Sequence, residues 1–268
     1  MNPAIGTLSL GDIPRVAGTI SDRATLSLPA CDLAAHCDLV ELRLDVLGSD
    51  TPNWLHTCQT WEAAGLPVLV TIRLQGEGGK WIRADKDRSP FLESALDALS
   101  AVDVELNSDI SASICAYAAQ QRKTVIVSYH NFALTPSLAD LRAIVARIRQ
   151  LPHAVPKLAA MVNSEADIRT LTELLQSELP QPICVIGMGP LGAPTRTSFP
   201  ALGSCLTYGH IDKSSAPGQL SAANLVNALR SDIPAYSQDF AARKVRLPLG
   251  TCRTFGRNIE YRIRNHES

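Results

Sequence analysis

Several short stretches carry residue types that stand out against their surroundings. In Asp38–Asp45 (DLVELRLD), Val40, Leu42 and Leu44 alternate with Glu41, Arg43 and Asp45. Period-two alternation puts the three ionised side chains on one face of a strand. Burying them unpaired is expensive, so they form either a mutual ion-pair network or a polar cup for a hydroxylated substrate. Arg73 is followed by Leu-Gln-Gly-Glu-Gly-Gly, which sets Glu77 in a glycine-rich turn. The alternative is a plain surface loop with a solvated Glu. The pattern is not the phosphate-cradling GxxxxGK[ST] loop. His130 closes Ser-Tyr-His, and an imidazole suits proton transfer near neutrality. Lys157 lies inside the apolar run Pro-Lys-Leu-Ala-Ala-Met. Lysine is seldom fully buried without a partner. Apolar neighbours and cations such as Arg43 favour the neutral amine, which attacks carbonyls to give an imine. The alternative is a lysine that snorkels at the edge of its strand.

Two later segments suit anion binding. Ser214-Ser-Ala-Pro-Gly-Gln219 is polar turn chemistry. Its backbone amides, the Ser215 hydroxyl and the Gln219 amide are potential donors to an anion. Arg196 offers a bidentate grip on a carboxylate. Gly187-Met-Gly-Pro-Leu-Gly192 fits GxGxxG, with Asp212 beyond it, as a dinucleotide site would. Pro190, Pro194 and Pro200 interrupt the helix that such a site needs, so this reading is set aside.

These residues need a scaffold that gathers them. Eight β-rich runs are legible: Arg15–Ile20, Asp38–Asp45, Leu66–Arg73, Val102–Leu106, Thr124–Tyr129, Pro156–Val162, Ile183–Met188 and Ser204–Tyr208. Between them, apolar residues recur at helical spacing: Leu92, Leu96 and Leu99; Leu138, Leu141, Ile144, Val145 and Ile148; Ile168, Leu171, Leu174 and Leu175. Strand–helix alternation predicts a parallel sheet of the α/β class. Eight repeats in a chain of 268 residues predict a single-domain (β/α)₈ TIM barrel. Its catalytic groups belong at the C-terminal ends of the strands, where Glu77 and His130 fall.

Composition narrows the function. The chain is 46% hydrophobic and 19% charged, which fits a globular protein. A net charge of -1 provides no global field for nucleic acid or an acidic membrane. Seven cysteines without CxxC spacing predict free thiols in a reducing cytosol, with neither a disulfide framework nor a zinc site. With no secretory leader pattern and no long apolar run, the expected location is cytoplasmic. The barrel is expected to occupy residues 1–237. Residues 238–268 read as a basic tail: Arg243–Ser268 holds seven basic residues against two acids. It is either a solvated, disordered end or an arm that binds a partner or nucleic acid.

Together the motifs resemble those of type I 3-dehydroquinase: Glu41-Leu-Arg-Leu-Asp45, Arg73 with Glu77-Gly-Gly, Ser-Tyr-His130, Pro-Lys157, Gly-Met188-Gly with Arg196, and Ser215-Ala-Pro-Gly-Gln219. The resemblance spans about residues 15–231. It implies dehydration of 3-dehydroquinate to 3-dehydroshikimate, with Lys157 forming an imine, His130 moving the proton and Glu77 orienting His130. It further implies that Arg196, Ser215 and Gln219 hold the substrate carboxylate, that Glu41, Arg43 and Arg73 hold ring hydroxyls, and that Met188 packs beside the ring. Tyr208 stands where the family usually has Phe, and its hydroxyl then needs a partner. Ile186 stands where a second Met is common. No cofactor and no metal are expected, since the imine polarises the substrate. A homodimer is expected, because dimers are common in the family. Without the resemblance, dehydration and aldol cleavage both fit the residues, although an aldolase does not explain the Ser215–Gln219 loop or Glu77 with its glycines. A ligand-binding regulator related to the family is a further alternative, although it would be expected to lack Lys157 or His130.

Overall fold

The structure is a computed structural model that describes residues 2–213 and 219–246. Eight parallel strands form its centre: β3 (Arg15–Ile20), β4 (Leu39–Arg43), β5 (Val68–Thr71), β6 (Ala101–Glu105), β7 (Thr124–Asn131), β8 (Ala154–Met161), β9 (Cys184–Met188) and β10 (Leu206–His210). Their order is β10-β3-β4-β5-β6-β7-β8-β9. At the remaining seam, Cys205 N–H donates to Ile183 C=O at 2.9 Å and Val185 N–H to Ser204 Oγ at 3.0 Å. The sheet is thereby a nearly closed TIM barrel, as eight strand–helix repeats demand. Each expected strand is present, with ends shifted by a few residues.

A short antiparallel hairpin, β1 (Ala4–Ile5) and β2 (Leu8–Ser9), precedes the barrel. Ile5, Leu8 and Leu10 are buried with Ala17, Leu39, Leu69, Ala101, Ile126 and Leu206. These are early positions on their strands, so the hairpin caps the N-terminal end of the barrel with an apolar layer. The sequence reading missed it, because two-residue strands carry no periodic signal.

The outer layer consists of α1 (Ala30–Ala34), α2 (Leu44–Leu47), α3 (Trp54–Ala63), α4 (Ser89–Ala98), α5 (Ser111–Gln120), α6 (Leu138–Arg149), α7 (Glu165–Glu178), α8 (Thr195–Ala201), α9 (Ala222–Asp232) and α10 (Pro234–Arg246). The apolar stripes read from the sequence are the faces buried on the barrel. These are Leu92 and Leu96 on α4, Leu141, Val145 and Ile148 on α6, and Leu171, Leu174 and Leu175 on α7. Ser137 caps α6, and a Ser164–Asp167 capping box starts α7, satisfying amides that the helix cannot.

The boundary expected at residue 237 is not where this region ends. Helix α10 crosses it and continues to Arg246. Tyr236 and Phe240 enter the main apolar core. Arg243, read as part of a basic tail, donates to Asp38 Oδ1 at 2.5 Å and to Asp239 at 2.8 Å. Arg15 pairs with Asp239 from the other side. The physical reason is Asp38, a buried carboxylate at the N-terminal end of β4 that needs a cation and donors. Residues 247–268, the rest of the expected tail, lie outside the described residues. So does Cys252; Cys58, Cys115, Cys184 and Cys205 are buried free thiols. Among the described residues, no helix is long and apolar enough to cross a membrane.

Candidate active site

The strand register stacks polar side chains above the apolar layer. Thr71 pairs with Asp103, Glu105 with Ser128, Ser128 with Lys157, and His130 with Ala159 across successive strands. The mouth at the C-terminal ends is a cavity of about 140 Å³. Its wall includes Glu41, Arg43, Arg73, Glu77, His130, Lys157, Met188, Arg196, Tyr208 and Gln219, so every expected site residue except Ser215 lies there. Ser215 is outside the described residues. A larger groove of about 440 Å³ lies between residues 26–31 and α3, but the barrel's charged groups are not among its walls.

Lys157 is buried, and its Nζ sits 4.0 Å from the centre of the Tyr208 ring. The neighbours expected for it were apolar groups and cations. The structure adds a carboxylate: Nζ donates to Asp103 Oδ2 at 2.9 Å. Asp103 also pairs with Arg73 at 2.9 Å and accepts from Ser128 Oγ at 2.7 Å. Burial alone would raise Asp103, but Arg73 and Lys157 overcome it and hold the carboxyl below its ordinary range.

His130 Nδ1 lies 3.0 Å from Glu77 Oε2. Burial, with the cations Arg73 and Lys157, keeps the imidazole well below its usual pKa. Burial raises Glu77 to about 7; Glu105 and Asp103 add to the rise and Arg73 opposes it. At neutral pH the imidazole is therefore uncharged and able to accept a proton. Phe132 stacks on His130 with 6.0 Å between ring centres. The glycines are required here. Gly78 has φ +78°, and a Cβ on it would meet Phe132 at 2.5 Å; a Cβ on Gly79 would meet the Arg73 carbonyl oxygen at 2.0 Å.

The Glu41–Asp45 stretch differs in part from its expectation. β4 ends at Arg43, and Asp45 falls in the first turn of α2. From there Asp45 accepts two bonds from Arg43 at 2.9 Å and one from Lys80 N–H at 3.0 Å. Glu41 accepts from Thr19 at 2.8 Å and Thr71 at 2.9 Å. Both alternatives are partly realised: Arg43 is ion-paired, yet Glu41 and Arg43 still line the cavity.

Arg196 sits in the first turn of α8, buried, with one bond to the Tyr208 carbonyl at 3.1 Å. Among the described residues no carboxylate lies within ion-pair distance of it. Burial lowers its pKa. A buried cation without an anion is costly, and this one faces the cavity. The Tyr208 hydroxyl is buried and has no partner among the described residues.

The sequence reading overlooked Asp103, Glu105 and Arg88. The signal for two of them was present: Val102-Asp-Val-Glu-Leu106 alternates as Glu41–Asp45 does. Comparison with known proteins places this arrangement. The family model for type I 3-dehydroquinase matches residues 16–233. The chain belongs to the type I 3-dehydroquinase family. It is accordingly an enzyme, a carbon–oxygen lyase. The 3-dehydroquinate dehydratase of Thermodesulfovibrio yellowstonii is 34% identical over 222 residues, covering 82% of this chain and 96% of that one. That of Methanosarcina barkeri is 35% identical, covering 80% and 93%. The crystal structure of the Geobacillus kaustophilus 3-dehydroquinate dehydratase superposes with a TM-score of 0.76 at 26% identity, covering 88% and 98%. The 3-dehydroquinase match stops at residue 233, so α10 lies beyond it.

Proposed function

We propose that the cavity dehydrates 3-dehydroquinate to 3-dehydroshikimate through an imine on Lys157, in the shikimate pathway. The observation that carries this reading is the placement of a buried lysine, a neutral imidazole and an arginine with no ion pair among the described residues around one cavity. Lys157 Nζ attacks the substrate ketone, and loss of water gives the imine. The protonated imine withdraws electrons, so the adjacent carbon loses a proton more easily. His130 takes that proton. The electron pair moves toward the imine to give an enamine, and it returns as the neighbouring hydroxyl departs. His130 hands its proton to that hydroxyl, which leaves as water. Hydrolysis of the imine releases the product and restores Lys157.

The surrounding groups support each step. Asp103 holds Lys157 Nζ, and Glu77 fixes the orientation of the His130 ring. Arg196, with Gln219 and Ser215, receives the substrate carboxylate, the anion that this buried guanidinium otherwise lacks. Glu41, Arg43 and Arg73 hold ring hydroxyls, and Met188 packs beside the ring. The expected homodimer is checked by light scattering on the purified chain.

Borohydride trapping tests the reading. Incubation with 3-dehydroquinate and reduction should leave one stable adduct on Lys157, seen by intact mass and peptide mapping. Lys157→Ala should give no adduct and no turnover. Turnover by that variant, or an adduct at another residue, would refute the mechanism. Carbon–carbon cleavage of a sugar phosphate in place of dehydration would favour the aldolase alternative.

A further inference from the structure

Arg88 is not part of the cavity wall, yet it is completely buried. It sits in the turn that leads into α4. All five of its N–H groups have a listener. Nε and Nη2 donate to Asp85; Nη1 donates to the Ile72 carbonyl and to Glu105 Oε2 at 2.7 Å; Nη2 also donates to Ser108 Oγ at 3.0 Å. Only a planar fork can do this, and a lysine supplies three donors from one point. Glu105 in turn accepts from Leu74 N–H at 2.9 Å and pairs with Arg73 at 3.2 Å. Arg73 reaches Asp103 at 2.9 Å, and Asp103 reaches Lys157 at 2.9 Å. One unbroken chain of charged contacts thus runs from Arg88 to Lys157. Its Ile72 and Leu74 contacts flank Arg73 and open the turn that carries Glu77.

We propose that Arg88 is a positioning residue for the reaction: by occupying Glu105 it leaves Arg73 free to serve Asp103, and so sets the field around Lys157, His130 and Glu77. This rests on the roles assigned to those residues above. Without the Arg88 charge, Glu105 keeps only Arg73 as a cation among the described residues. Arg73 is then drawn from Asp103 toward Glu105, and the mouth gains uncompensated negative charge. Glu77 reports that change. The charged groups acting on it are Arg73 from the end of β5 and Asp103 and Glu105 from β6, and the titratable His130 on β7 hydrogen-bonds it. Arg73 lowers its pKa, and the two carboxylates raise it.

The test is the titration midpoint of the Glu77 carboxyl, followed by carbon-13 NMR in the ligand-free protein and assigned with Glu77→Gln. In Arg88→Met the midpoint should rise above about 7 by roughly half a unit or more. In Glu105→Gln it should fall. In the double variant it should return close to the wild-type value, because the ion pair is removed as a unit. A midpoint unmoved in both single variants would overturn the proposal. If Arg88→Met does not fold, Glu105→Gln decides the matter: an unmoved or rising midpoint overturns it. The readout needs no turnover. Failure of borohydride trapping in the wild type would refute the imine reading while this shift still judged Arg88. In active protein, the acid limb of kcat/KM should move with the midpoint.

Discussion

The two ends of this barrel handle charge in opposite ways. At the N-terminal end, the hairpin β1–β2 lays Ile5, Leu8 and Leu10 over an apolar layer. The carboxylates nearby are saturated. Asp38 accepts from Val16 N–H at 2.6 Å, from the Tyr236 hydroxyl at 3.0 Å and from Arg243 at 2.5 Å. Arg15 and Arg243 share Asp239. At the C-terminal end, Arg196 is buried without a carboxylate among the described residues, and Glu77 is pushed to about 7 by burial beside other acids. One end spends its polar groups on holding the fold; the other leaves them incompletely matched. Incomplete matching costs stability, and in the proposed mechanism a bound anion and a transferred proton supply the missing partners.

That contrast can be broken at four points. The largest effect is expected at His130. His130→Ala should lower kcat by about 10²–10⁴-fold while the protein stays folded and still forms a trappable imine slowly. Steady-state kinetics together with trapping checks both halves, and wild-type turnover would mean that another group carries the proton. Next is Arg243→Ala, at the saturated end. It leaves Asp38 buried with no cation from α10 and should cost about 2–4 kcal/mol, since Arg243 itself is partly exposed. Denaturant unfolding should show the loss, while kcat and KM stay at wild-type values. A catalytic defect without a stability defect would contradict the division of labour between the ends.

Arg196→Ala should act in the reverse sense. KM should rise roughly ten- to a hundred-fold, as expected for about 1.5–3 kcal/mol of lost charge-assisted bonding. The fold should become no less stable, because no internal ion pair is lost. An unchanged KM would place the carboxylate elsewhere.

The smallest effect concerns Glu77, where the sign is specific. Its carboxyl is raised from 4.5 to about 7 in the folded protein. The fold therefore binds that proton more tightly than the unfolded chain does. Ionisation destabilises the fold increasingly between pH 4.5 and 7, and fully above 7. Glu77→Gln should accordingly gain about 1 kcal/mol at pH 8, or roughly 2–4 °C in Tm, and gain nothing below pH 4.5. The same substitution should lower kcat/KM and remove its acid limb near pH 7, because in the proposed mechanism the ionised form orients His130. Thermal unfolding and pH–rate profiles would show whether stability and activity trade against each other here.

The legibility of this chain divides along similar lines. The eight strands and the stripes of α4, α6 and α7 were readable because local periodicity is set by backbone geometry and burial. So were Lys157, His130, Glu77 and Arg196, since a charged or titratable group inside an apolar run or at the end of a strand needs a reason. Asp45 was misplaced because alternation continues across the end of β4, where the backbone turns into α2. Asp103 and Glu105 alternated just as visibly, but a second acidic strand has no evident meaning until the first is seen opposite it.

What the sequence determined by itself is the repeat, the class of fold and the chemistry available at single positions. These depend on neighbours a few residues away. Tertiary structure alone decided the pairings. Arg73 meets Asp103 and Glu105, Arg88 reaches through them toward Lys157, and α10 brings Arg243 to Asp38 across 205 residues of chain. Such contacts depend on barrel closure and strand register. A charge reads the same in a sequence whether its partner is a carboxylate, a substrate or water, and only the fold brings the partner near.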